Sequence, residues 1–98
     1  MKLRILPSAM EDLYSGRLFY DRQGEGLGEY FFDSIFSDID SLVLYAGIHP
    51  KTFGYHRLLA HRFPYAIYYV IEVGVATVCR VLDLRQNPDR TRRNLVSD

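Results

Sequence analysis

The chain is poor in the residues that mark most kinds of site. It has one cysteine, Cys79, so no internal disulfide can form, and a reducing cytoplasm is its expected compartment. No run approaches the ~18 apolar residues of a membrane span, and no basic start leads into an apolar stretch of the secretory kind. Net charge is absent, since 12 basic side chains balance 12 acidic ones. That balance argues against the basic face of a nucleic-acid binder, and so against direct sequence-specific DNA binding. There is no nucleophile elbow and no Cys/His nucleophile signature. His49, His56 and His61 lack carboxylate or thiol companions at ligand spacing, so neither a metal nor a cofactor is expected. The stretch Gln23-Gly-Glu-Gly-Leu-Gly28 lacks the preceding strand and the Lys-Ser/Thr ending of a phosphate loop, and reads as a turn between helices.

What remains is ample apolar material. Hydrophobic residues make up 48% of the chain and no segment is low in complexity, which excludes disorder. Residues 1–98 are expected to form one domain around a single core. Charge is unevenly spread. Residues 1–50 carry four basic and eight acidic side chains, whereas residues 51–98 carry eight basic and four acidic ones. Seven of those eight basic residues are arginine, the type suited to planar, bidentate contacts with carboxylates or phosphates.

Alternation in Lys-Leu-Arg-Ile-Leu predicts a first strand over residues 2–6, ended by Pro7. Ser8-Ala-Met-Glu11 matches a capping box. A first helix over residues 9–22 is expected to turn Met10, Leu13, Tyr14 and Tyr20 inward, with Gly16 costing ~1 kcal/mol relative to alanine. The second helix is predicted over residues 28–46. Its apolar face, from Phe31, Phe32, Ile35 and Phe36 to Leu42, Val43 and Ala46, is wide enough to need burial on two sides or a covering partner. Strands follow at about 54–61, 65–73 and 75–84, the last two forming a hairpin about Gly74. From residue 86 the chain reads as a frayed basic tail. The fold class is therefore α+β and two-layered, in the order β-α-α-β-β-β. A helix hairpin packs on one face of a mainly antiparallel sheet, and the other face stays open.

The arginines are the candidate functional residues. Arg57, Arg62, Arg80 and Arg85 lie on successive strands or their ends, so some could converge on the open face, with Arg90, Arg92 and Arg93 extending the charge along the tail. Strand parity puts Arg80 and Arg85 on opposite faces unless a bulge intervenes near Asp83. The structural alternative for each is a salt bridge to Glu72, Asp83 or a helix acid, because an unpaired guanidinium is costly to bury.

Four stretches, Ala9-Met-Glu-Asp-Leu13, Gly26-Leu-Gly28, Phe63-Pro-Tyr-Ala-Ile-Tyr-Tyr69 and Val81-Leu-Asp-Leu-Arg85, together resemble the RelE/ParE superfamily of bacterial toxins. The resemblance spans nearly the whole chain. It implies a toxin kept silent by an antitoxin encoded beside it, as in plasmid-stabilisation systems. RelE-like members cut messenger RNA in the ribosome with basic side chains across the open sheet face and a late tyrosine. On this chain Arg57 and Arg85 match two of those positions, while Leu59, Ala66 and Thr91 fall on the others. ParE-like members act on DNA gyrase, and the Phe-Pro-Tyr and Gly-Leu-Gly wording is more similar to that branch. Many relatives have His where this chain has Asp83. The implied function is a ParE-like gyrase inhibitor that works by protein binding. The alternatives are a ribosome-dependent endoribonuclease with Arg57 and Arg85 catalytic, or a degenerate toxin that only binds its antitoxin. Target binding is assigned to Arg57, Arg62, Arg80, Arg85, Arg92 and Arg93, and antitoxin binding to Phe32, Phe36 and Tyr68.

Overall fold

A computed structural model describes residues 1–96. Five strands form one sheet in the order β1-β5-β4-β3-β2: β1 (Lys2–Ile5), β2 (Lys51–Thr52), β3 (Tyr55–Leu59), β4 (Tyr65–Glu72) and β5 (Val75–Asp83). β1 runs parallel to β5, and every other pairing is antiparallel. Helices α1 (Pro7–Asp21) and α2 (Leu27–Asp40) form the predicted hairpin on one face. The fold class is as the sequence implied: α+β, with a helix hairpin against a mainly antiparallel sheet.

Alternation along the strands sorts the core. Ile67, Tyr69, Ala76, Val78 and Val81 meet Ala9, Leu13, Phe31, Ile35 and Ile39 of the hairpin, all buried. Two glycines set how closely the helices approach. A Cβ on Gly16 would sit 2.5 Å from Cε2 of the Phe31 ring, and one on Gly28 would collide with the Arg17 carbonyl and the Asp21 carboxylate. Gly16 is therefore a contact point, and its weak helix propensity is incidental. Tyr14, expected inside, is half exposed and stacks on Phe32 at 5.8 Å between ring centroids.

Several boundaries differ from the sequence reading for local reasons. Pro7 begins α1 instead of merely ending β1, since its missing N–H costs nothing in the first turn. Ser8 makes no cap. Its hydroxyl donates to the Cys79 carbonyl at 2.8 Å, because β1 stops at Ile5 and leaves the rest of the β5 edge unpaired. Asp12, one turn later, accepts from the Val81 N–H at 2.9 Å, so side chains of α1 finish the edge that β1 abandons. The second helix does not run to residue 46. It ends at Asp40, where the Ser41 hydroxyl turns back on the Asp38 carbonyl at 2.6 Å, and a short α3 (Leu42–Tyr45) follows. A two-residue β2, unseen in the sequence, pairs with β3 across Phe53-Gly54. The Val73-Gly74 turn has positive φ at both residues, 49° and 73°, the twist that suits a two-residue hairpin. The bulge lies at Cys79, where Tyr68 opposes Arg80 but Tyr69 opposes Val78, and not near Asp83.

The largest correction is at the C-terminal end. The expected frayed tail is a helix, α4 (Pro88–Val96), and the face expected to stay open is partly covered by it. Leu95, 1% exposed, packs with Ala66, Tyr68 and Leu82 to form a second, smaller core, with Tyr55 beside it. The Tyr55 hydroxyl donates to the Leu95 carbonyl at 2.9 Å.

Candidate functional site

The arginines do not converge. Arg80 sits past the bulge and faces α4, and its guanidinium wraps the β5 edge to reach Asp12. Nε and Nη2 donate to the two carboxylate oxygens at 2.8 and 2.9 Å, while Nη1 donates to the Asn94 carbonyl at 3.2 Å. Both partners of this ion pair are largely buried, with side chains 18% and 14% exposed. The helix acid offered by the structural alternative is thus the one found, and Arg80 is spent on tying α1 to α4.

Arg85 goes the other way. It grips Asp83 in a bidentate pair at 2.8–2.9 Å, lies 3.4 Å from the Tyr20 hydroxyl and sits over the Phe19 ring. The hydrogen-bonded guanidinium holds the Asp83 carboxyl below its ordinary range. Tyr65 beside it is pushed up to about 12, chiefly by burial and then by the Asp83 charge. Its phenol stays neutral near pH 7 and is no ready base. Arg62 is exposed, its guanidinium 5.8 Å from the Tyr30 ring centroid. Arg92 and Arg93 are exposed on α4. The two catalytic candidates, Arg57 and Arg85, therefore point to different sides of the sheet, Arg57 opposite Tyr68 and Arg85 toward α1.

Unlike Arg80 and Arg85, Arg57 is not held by an acid. Among the described residues its guanidinium has no hydrogen-bond or ion-pair partner, and it borders a cleft on each side. One, of about 230 Å³, lies against α4 and is lined by Thr52, Phe53, Tyr68, Leu84, Gln86 and Thr91. The other, of about 520 Å³, lies at the outer edge of β3. Where a cleavage site would need proton donors and cations, Ala66 is fully buried beneath Leu95, and the Thr91 hydroxyl accepts from Gln86 Nε2 at 3.1 Å. Leu59, the third such position, is an exposed apolar side chain.

Of the antitoxin-binding candidates, Phe32 and Phe36 are half-buried neighbours, 4.8 Å apart by ring centroid, on the outer side of the hairpin beside exposed Tyr14. Arg17 lies over the Phe32 ring at 5.3 Å. Tyr68 is 2% exposed under α4 and offers no surface in this arrangement.

Two histidine clusters escaped the sequence reading, because their partners are distant in the chain. His61 donates through its backbone N–H and Nδ1 to the buried Asp38 carboxylate, at 3.1 and 2.6 Å, tying the β3–β4 loop to α2. The fully buried Tyr69 hydroxyl receives the Gly47 N–H at 2.9 Å and meets His49 Nδ1. His56 stacks on the Tyr69 ring and donates from Nδ1 to the His49 carbonyl at 2.7 Å. Burial, and secondly the neighbouring His56, hold His49 below its ordinary value. Among the described residues no group of His, Cys, Asp and Glu could hold a metal ion, and no helix is long and apolar enough to cross a membrane.

Comparison with known families and with curated proteins finds no match. Among solved structures, the fold matches a chain described as "Chromosomal ParDE TA system from P. aeruginosa", with a TM-score of 0.79 and 18% sequence identity. The match covers 87% of this chain and 97% of that one. At that identity the likeness is one of fold. The architecture implied by the sequence resemblance is the architecture observed.

Proposed function

We propose that this chain is the toxin of a type II toxin–antitoxin pair, ParE-like, which inhibits DNA gyrase by protein contact and is neutralised by a cognate antitoxin in the cytoplasm. The observation that carries the reading is the sheet face opposite the hairpin. Its centre is Ala66, Tyr68, Leu82 and Leu95 packed together, with Arg57 at its margin, and among the described residues that cluster holds no paired acid and base. Phosphodiester cleavage needs a proton acceptor, a proton donor and donors aimed at the developing phosphorane charge. A face so filled suits contact with a folded protein, where a few arginines and aromatic side chains dominate the binding energy. The fold shared with the ParDE chain supports the same branch.

Target contact is assigned to Arg57, Arg62, Arg92 and Arg93, all exposed or lining clefts, while Arg80 and Arg85 act through the fold. The half-buried Phe32 and Phe36, with Tyr14, offer the apolar patch for the antitoxin. Induced expression should arrest growth and raise the DNA-damage response, while primer extension on translated transcripts shows no new cuts. Cuts placed by codon position and dependent on the protein would establish the ribonuclease reading instead. Normal growth together with a tight antitoxin complex would establish a degenerate toxin.

A further inference from the structure

The smaller cleft beside Arg57 lies between the sheet and the start of α4 and has a volume of about 230 Å³. Four elements line it, through Thr52 of β2, Arg57 of β3, Tyr68 of β4 and Thr91 of α4, with Gln86 beside them. We propose that it binds a small tetrahedral oxyanion, inorganic phosphate or the phosphate group of a monoester, and holds it without turnover.

Two side chains on the lining are unsatisfied. Arg57 and Tyr68 are direct cross-strand partners, so they stand side by side on the face toward α4. Among the described residues neither the guanidinium nor the Tyr68 hydroxyl has a hydrogen-bond partner. Tyr68 is 2% exposed, and an unbonded hydroxyl on so buried a side chain is costly. Ser34 Oγ is the one polar side-chain atom among the described residues that is both sealed from solvent and unbonded. The Tyr68 oxygen therefore meets open space. Ala66, Leu82 and Leu95 pack against the ring, so that opening is the cleft.

The rest of the lining completes a set of donors. Gln86 Nε2 donates to Thr91 Oγ1 at 3.1 Å, which leaves the Thr91 O–H to donate elsewhere. Thr52 brings a second threonine hydroxyl. No Asp or Glu lines the cleft, so Arg57 alone sets its charge. A guanidinium and three hydroxyls on four separate elements suit an anion whose acceptors also point in several directions. A planar carboxylate, with two oxygens, would leave some of these donors unmet. Phe53, 45% exposed on the same lining, offers a ring surface to the organic part of a monoester. With neither carboxylate nor imidazole on the lining, nothing is placed to take a proton from an attacking water, so a bound ester stays whole.

The probe is inorganic phosphate, titrated at constant ionic strength into the full-length 15N-labelled protein, with acetate and phenyl phosphate run beside it. Phosphate should shift the amides of Thr52, Arg57 and Thr91 saturably and bind at least about tenfold more tightly than acetate, as fits the loss of one charge-assisted hydrogen bond. Phenyl phosphate should bind at least as tightly as phosphate and be recovered intact. Arg57→Gln should abolish the saturable shift. Tyr68→Phe keeps the ring that packs with Leu95 and should weaken binding about tenfold, by the same loss. Thr91→Val, at a partly exposed position, should weaken it several-fold. Arg4→Gln, at an exposed arginine on β1, should bind as wild type does. The proposal is overturned if phosphate moves none of these amides, if acetate binds as tightly, or if phenyl phosphate is hydrolysed. It is equally overturned if Arg4→Gln weakens binding as much as Arg57→Gln, or if Tyr68→Phe and Thr91→Val both bind as wild type does.

Discussion

Arg80 and Gly16 each have a role that no single-residue rule would assign. A lone arginine in an apolar strand invites a functional reading, yet Arg80 finds its carboxylate 68 positions earlier, on α1. Nothing local in the sequence announces Asp12 as its partner, because the pairing depends on where β1 stops and on the bulge at Cys79. Gly16 reads as a helix weakness worth ~1 kcal/mol. In the fold its missing side chain admits the Phe31 ring. Gly16→Ala should therefore lower stability despite the better helix former, since overpacking a core costs roughly 1–3 kcal/mol. A fall in the urea midpoint at unchanged slope checks this. His49 makes a pH-dependent contribution. Its folded value lies below the ordinary one near 6.5, with burial the main cause. As pH falls through that ordinary value the unfolded chain takes up a proton that the folded chain refuses, so stability should decline on acidification below about pH 7 until the lower folded value is reached. Denaturant midpoints measured from pH 7.5 to 5 should show this decline in wild type and a flatter course in His49→Gln.

Among the elements, those with strong local signatures were legible. The β4–β5 hairpin announces itself through a branched and aromatic run on each side of Gly74. The α1–α2 pair shows in its periodicity and in the glycines of its turn. What was missed depends on neighbours. β2 is two residues long and exists only because β3 lies beside it. α4 has a polar, arginine-rich sequence whose single buried side chain, Leu95, gains its meaning from the pocket of Ala66, Tyr68 and Leu82. Composition alone reads such a segment as a tail. Since α4 is held by one apolar anchor, the Tyr55 bond and the Arg80 bond, Leu95→Asp should release it. Hydrogen exchange in residues 88–96 should then approach the unprotected rate, while β4 and β5 keep their protection. Loss of protection throughout the sheet would instead make α4 part of the main cooperative unit.

Across the whole molecule, the charge asymmetry of the sequence survives folding in altered form. The basic second half does not make one cationic face. Arg80 and Arg85 are tied to acids, Arg62 rests by Tyr30, and Arg57 lies between two clefts. The sequence resemblance made the fold legible, because it rests on motifs spread along the chain. The site was less legible, since it turns on which arginines lack a partner, a property of the folded chain alone. The proposed activity is inhibition of gyrase by surface contact. Its most direct measurement is supercoiling by purified gyrase with added wild type, Arg57→Ala and Arg62→Ala. Wild type should inhibit, and Arg57→Ala should need at least tenfold more protein, matching the ~2 kcal/mol of a well-placed interface arginine. Full supercoiling activity at a large molar excess of wild type would contradict the account.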